Sequence, residues 1–137
     1  MQFPGGPGGV CPLTPPVTVP QPAACWYGTV EGDISGQVAF WETDANYIVG
    51  KTEHFFEVFT ILPAGGGSIS GVDAGVWNFS TFKFRAQGWV TDASSEWASL
   101  IGYKYFEMGR NSPFDPNAPV LPVTAFDVEM FLAKAQA

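Results

Sequence analysis

Short runs of alternating apolar and polar residues, separated by turn-forming residues, make up most of the chain from Trp26 onward. Alternation with a period of two is typical of β-strands that bury one face. The pattern predicts strands of about 7 to 15 residues joined by short turns, which is an antiparallel meander. It also predicts a last strong strand over Trp97–Met108 and a short C-terminal helix over Ala125–Ala135, capped by Thr124.

The longest strand-like run is Tyr47–Ile61, which contains the single histidine of the chain. Alternation places Lys51, Glu53, Phe55, Glu57, Phe59 and Ile61 on one face. Thr52, His54, Phe56, Val58 and Thr60 lie on the other. Neither face is purely polar, so we expect both to be covered. Closure into a barrel removes the open edges of such a sheet. The predicted fold is all-β, a closed antiparallel β-barrel of about eight strands, with a β-sandwich as the alternative.

Residues 1–24 differ from the rest of the chain, because they hold seven of its 12 prolines and almost no charge. Proline fixes φ and lacks a backbone donor, so this segment is predicted to be an extended arm. It precedes a single barrel domain over residues 25–137. Cys11 and Cys25 bracket most of the arm. A disulfide between them would close a loop of about 15 residues, worth roughly 3 kcal/mol, and two free thiols are the open alternative.

Composition limits the classes of function. There are 13 acidic and 6 basic residues, a net charge of -7, and no Lys or Arg before Lys51. Phosphate binding needs clustered basic residues, so we expect no nucleic-acid partner and no anionic membrane surface. One histidine and two cysteines do not complete a zinc site, so no metal and no cofactor are predicted. The compartment stays open: extracellular if Cys11 and Cys25 pair, otherwise cytoplasmic.

Charged residues recur in the middle of predicted strands, where burial without a partner is costly. Either Lys83, Arg85 and Lys104 point to solvent, or they cross the barrel to Glu53, Glu57 and Glu107. The second arrangement would place carboxylates beside cations in an aromatic cavity, a setting that perturbs pKa values. Glu53 and Glu57 are therefore the candidate catalytic residues. The candidate binding residues are His54, Lys83, Arg85, Trp89, Tyr103, Tyr105 and Glu107.

The segment Gly71–Gly109 resembles the second half of allene oxide cyclase-like barrels, a superfamily that includes dirigent proteins. The shared features are the Gly88-Trp89 step, an acidic turn, and the stretch Trp97–Gly109 with glycines at 102 and 109. The earlier GTVEGDISGQV also fits, so the resemblance covers roughly residues 28–109. It implies an eight-stranded, often oligomeric barrel that holds an apolar small molecule, and it assigns no catalytic residue.

Two functions follow as hypotheses. The first is a barrel that binds an apolar small molecule and acts, if it is an enzyme, as a cyclase or isomerase that positions a reactive conformer. The second is a secreted structural or self-assembling subunit whose N-terminal arm docks on a neighbouring copy. The partner is therefore predicted to be an apolar small molecule or other copies of the same chain, and a homo-oligomer is expected. An internal cavity larger than about 300 Å³ would favour the first hypothesis.

Overall fold

A single curled antiparallel sheet forms the body of this computed structural model. The residues that the structure describes are 2–5, 13–16, 25–43, 46–111 and 126–134. The strand order is β1-β2-β3-β5-β6-β7-β8-β9, and β4 pairs only with β5. The strands are β1 Gln2–Gly5, β2 Cys25–Val30, β3 Gly36–Glu42, β4 Tyr47–Val49, β5 Thr52–Pro63, β6 Ile69–Asn78, β7 Lys83–Ala93, β8 Lys104–Asn111 and β9 Phe126–Ala133.

The all-β antiparallel class is confirmed, but the prediction of a closed barrel is wrong. Among the described strands, β1 pairs only with β2 and β9 only with β8, so the sheet is a half-barrel with two open edges. Asp127 and Glu129 alternate with apolar residues along the β9 edge. Charged side chains discourage an open edge from pairing with another chain, so this edge is tolerated without closure.

Strong curling of the sheet explains why both faces look apolar in the sequence. Phe40 on β3 and Tyr105 on β8 are four strand positions apart, about 19 Å in a flat sheet. Their ring centroids are 6.3 Å apart. The face that carries them is therefore concave, and it encloses the main apolar core. The members of this core are Val38, Phe40, Phe59, Ile61, Ile69, Val90 and Tyr105.

Glycine on the concave face makes room for the aromatic rings. Gly71 lies between Phe59 and Val90 in the cross-strand register. A Cβ at Gly71 would come 2.6 Å from the Phe59 ring and would also collide with the Trp89 carbonyl. Because no side chain occupies that position, the Phe59 ring can lie over the strand and stack on Tyr105, with centroids 4.4 Å apart.

The predicted central run is two strands rather than one. β4 ends at Val49 and β5 begins at Thr52, and these two residues are register partners across the turn Gly50-Lys51. Gly50 has a φ of 61°, as tight two-residue hairpins require. The predicted alternation within β5 is confirmed, and residues 57–61 are buried on both faces. On the convex side, Leu13 packs against a second buried cluster of Cys25, Ala39, Trp41 and Val58.

Two further predicted elements are wrong. The C-terminal helix is absent, because residues 126–133 form strand β9. Val128, Met130 and Leu132 alternate with polar or exposed residues, and this period of two matches pairing with β8. The predicted strand Trp97–Met108 begins with a 3-10 helix over Ser95–Leu100, and β8 starts only at Lys104. That six-residue helix is the longest among the described residues, so none there could span a bilayer.

Candidate functional site

Three carboxylic acids meet on the concave face of the half-barrel. Glu57, Asp73 and Glu107 are 6%, 5% and 3% exposed, respectively. One carboxyl oxygen from each lies within 4.8 Å of the other two. Burying three acids so closely is unfavourable unless protons or a cation offset their charge. We refer to Glu57, Asp73 and Glu107 as the acidic cluster.

The sheet register brings these three side chains together. Glu57 on β5 is the partner of Asp73 on β6, and Asp73 is the partner of Gly88 on β7. Gly88 has no side chain, and a Cβ there would collide with the backbone of Val72 and Asp73. On β8, Tyr105 is the register partner of Gly88, and Glu107 follows Tyr105 by two residues on the same face. The Glu107 side chain can therefore reach across the space above Gly88 toward Asp73.

Few hydrogen bonds satisfy the cluster. The Tyr105 hydroxyl donates to Glu107 Oε2 over 2.7 Å, and this bond is buried. Neither oxygen of Asp73 has a hydrogen-bond partner among the described residues. The neighbouring Glu57 carboxyl is the group with which Asp73 can share a proton. Among the described residues, Tyr105 is therefore the donor outside the cluster that serves these three buried carboxyl groups.

Burial is the main cause of strongly raised pKa values in the cluster. It raises the pKa of Asp73 from its usual 3.8 to about 7. The pKa values of Glu57 and Glu107 are well above their usual range, first because of burial and then because of the negative charge on their neighbours. Burial and the nearby carboxylates also raise the pKa of Tyr105. Without a bound cation, the cluster therefore retains protons at neutral pH.

Two further glutamates extend the acidic surface toward solvent. Glu42 is the register partner of Glu57 on β3 and accepts a 3.4 Å hydrogen bond from Trp26 Nε1. Glu53 lies on the same face of β5, is partly exposed, and accepts a 3.4 Å bond from Asn46 Nδ2. Burial raises the pKa of each. The concave face thus has a line of five carboxyl groups from a partly exposed end to a buried one.

The structure places the predicted site residues on two opposite faces. Glu57, Glu107 and Tyr105 meet in and beside the acidic cluster, and Glu53 lies two residues away on the same face. Tyr103 precedes β8 and packs at the margin of the concave core. The other predicted binding residues, namely His54, Lys83, Arg85 and Trp89, lie on the convex face by their register.

The predicted pairing of carboxylates with cations is therefore not formed. Lys83, Arg85 and Lys104 are all exposed on the convex face, which is the solvent-facing alternative left open by the sequence. The Lys104 ammonium lies 5.6 Å from the Trp89 ring, a cation–π contact. His54 stacks on Tyr47 with centroids 4.6 Å apart. By its register it lies on the face of β5 opposite to the acidic cluster.

The convex face has a groove of about 440 Å³ across β6, β7 and β8. Apolar side chains from Ala74, Val76, Phe106 and Met108 line it, and Arg85 is the cation among its lining residues. Gly75, Ala86, Gln87 and Glu107 complete the lining. Arg85 makes no ion pair with any carboxylate that the structure describes. The groove is therefore an open apolar surface with one available guanidinium group.

Asp73 is the site residue that sequence reasoning missed. The sequence pattern predicts a short strand that ends at Val72 and another that begins at Val76, so Asp73 falls between the two predicted strands. The signal that could have found it is the alternation Ile69, Gly71, Asp73, Gly75, Trp77 along β6. That pattern places an acid between two glycines on the same face as the core. The Cys11–Cys25 pairing stays a prediction, because Cys11 lies outside the described residues.

No protein-family model, curated protein or solved structure matches this chain. The resemblance to allene oxide cyclase-like barrels therefore stays a prediction.

Proposed function

We propose that this protein binds an apolar small molecule with an anionic group, in the groove on the convex face. The single observation that carries the proposal is a groove of about 440 Å³ with apolar walls and the Arg85 guanidinium, which makes no ion pair with any carboxylate in the described ranges. Ligand sites are typically about 300 to 1,000 Å³, mostly apolar, with a few polar groups that fix orientation. Arg85 would supply that orientation through a bidentate bond to a carboxylate or sulfonate.

The concave face is less suited to an organic ligand. Its interior is filled by Phe40, Phe59 and Tyr105, which are essentially inaccessible to solvent. The acidic cluster lies on the same face and is also buried, with side chains 3–6% exposed. A cyclisation or isomerisation, as the family resemblance implies, would therefore depend on holding one reactive conformer in the convex groove. Glu53 and Glu57 lie on the other face of the sheet and would not reach that substrate.

A charged and an uncharged fluorescent probe test this proposal together. We expect anilinonaphthalene sulfonate, which has aromatic rings and a sulfonate, to bind with enhanced fluorescence. Arg85→Gln should weaken that binding about five-fold, the size of one exposed ion pair near 1 kcal/mol. Nile red, which is neutral, should bind the variant as well as the wild type. Both affinities are measured by fluorescence titration of the full chain.

Lys83→Gln is the matched control, because Lys83 is an exposed cation on the same strand and face but outside the groove. It removes the same charge and should leave the sulfonate affinity unchanged. Equal losses in the two variants would mean general electrostatic attraction rather than a site. A wild-type protein that enhances neither probe would rule the groove out as a ligand site.

A second function, self-association, is favoured by one specific observation. Exposed apolar residues cluster on the convex face rather than being scattered: Phe56, Val72, Trp89, Met108 and Phe131 are 36–50% exposed and share it by register. Contiguous apolar patches of this kind mark interfaces with proteins or ligands. We therefore propose contact between the convex faces of two copies as the alternative, and Leu13, which packs on the convex side, would border it.

Light scattering after size exclusion tests the alternative. If two copies pair through the convex face, Phe131→Lys should convert a dimer to a monomer, because it buries a charge in an apolar contact. Ile48→Lys is the control, since Ile48 is 62% exposed but pairs with Glu53 and so lies on the concave side. A monomeric wild type at tens of micromolar, or equal effects of both substitutions, would exclude this role.

A further inference from the structure

The acidic cluster lacks a positive partner, although the chain has six basic residues. Lys83, Arg85, Lys104 and Arg110 lie on the opposite face of the sheet by their register. Lys51 is exposed in the β4–β5 turn, and Lys134 is exposed at the end of β9. No side-chain cation that the structure describes can offset the charge of Glu57, Asp73 and Glu107.

Asp73 gives a second and separate indication of a ligand. It is 5% exposed, both its oxygens are buried, and no described group other than the neighbouring acid Glu57 can share a hydrogen bond with it. Buried polar atoms in folded proteins nearly always have a suitable partner, so a buried carboxyl group whose neighbour is another acid needs an explanation. Its position between Glu57 and Glu107 directs it into the centre of the cluster.

We infer that Glu57, Asp73 and Glu107 bind a hard divalent cation, of the Ca²⁺ or Mn²⁺ class, on the concave face. Three oxygen ligands and no nitrogen or sulfur ligand select hard cations over zinc or copper. One oxygen from each acid lies within 4.8 Å of the other two, close enough for one cation with metal–oxygen distances of about 2.3 to 2.6 Å to contact all three. Mg²⁺ gives up its bound water reluctantly, so three nearly fully buried ligands favour Ca²⁺ or Mn²⁺ over Mg²⁺.

The surroundings of the cluster support the same assignment. Tyr105 donates to Glu107 Oε2, and this bond orients the carboxyl group while leaving Oε1 for a metal. Glu42 and Glu53 continue the line of carboxylates to the partly exposed end of the concave face. A cation can therefore approach along negatively charged groups before it reaches the buried site. This site lies on the opposite face of the sheet from the convex groove, although Glu107 belongs to both, and it does not depend on a ligand in the groove.

Calorimetric titration and thermal unfolding of the chelator-treated full chain test the inference. CaCl₂, MnCl₂ and MgCl₂ are titrated separately at pH 7.5. We expect one Ca²⁺ or Mn²⁺ per chain and a melting temperature that rises with cation concentration, as binding to the folded state requires. Mg²⁺ should bind more weakly. Asp73→Asn, which keeps the shape but removes one charged ligand, should weaken Ca²⁺ binding by about tenfold or more.

Asp127→Asn is the matched control, because Asp127 is exposed on the convex face. It should bind Ca²⁺ like the wild type. In the chelator alone, Asp73→Asn should melt at or above the wild-type temperature, which shows that any lost binding is not lost folding. The inference is overturned if no cation gives heat or thermal stabilisation, or if Asp73→Asn and Asp127→Asn bind Ca²⁺ equally.

Discussion

In the presence of a chelator, the protein should be more stable toward unfolding at pH 5 than at pH 8. The pKa of Asp73 is raised by burial from 3.8 to about 7 in the folded state. Below about pH 4 the carboxyl is mostly protonated in both the folded and the unfolded state, so it does not change the free energy of unfolding. Between pH 4 and 7 the unfolded chain releases the proton first, so the folded state loses stability as pH rises. At about 1.4 kcal/mol per pH unit, Asp73 alone contributes a loss of about 3 kcal/mol between pH 5 and pH 8.

Urea unfolding at pH 5, 6, 7 and 8 measures this dependence, with Asp73→Asn as the decisive variant. General repulsion in a chain of net charge -7 has the same sign, so the wild type alone is not sufficient. Asp73→Asn removes the titration of Asp73 and almost none of that repulsion, while Glu57 and Glu107 still titrate. It should make the profile shallower and exceed the wild type in stability at pH 8. A variant profile parallel to that of the wild type would show that Asp73 is not the group responsible.

Alternation in the sequence was enough to predict the strand class and which residues of β5 share a face, but not which of the two faces points inward. Glu57 and Phe59 are separated by one residue of opposite orientation, so their shared face follows from the pleat alone. It was not enough to predict which strand would lie opposite Glu57. Asp73 and Glu107 reach the same place because Gly88 between them has no side chain, and that arrangement depends on long-range register.

The C-terminal segment shows how a local pattern can mislead. Phe126, Met130 and Phe131 have spacings of four and five residues, which suited one face of a helix. The same residues with Val128 and Leu132 also have a period of two. A short apolar run is consistent with both periods, and only pairing with β8 decides between them. Closure failed as a prediction for a related reason, because curling can bury the interior of a sheet without joining its edges.

Phe59→Ala should destabilise the protein by about 3 to 5 kcal/mol, the usual cost of a large cavity in a packed core. Phe59 is 0% exposed and stacks on Tyr105 and Phe40, with centroids 4.4 and 6.0 Å away. These contacts join β3, β5 and β8, so the ring holds the two sides of the half-barrel together. Gly71 beneath the ring has no side chain, so that position offers no atoms to fill the space that alanine would leave.

Phe131→Ala is the control, since Phe131 is 49% exposed on the convex face and should cost less than about 1 kcal/mol. Both are measured by urea unfolding at pH 6 and at a protein concentration where light scattering shows a single species. A large loss for Phe131 and a small one for Phe59 would reverse the assignment of inner and outer faces. That result would also place the acidic cluster in solvent, where raised pKa values and a metal site would no longer be expected.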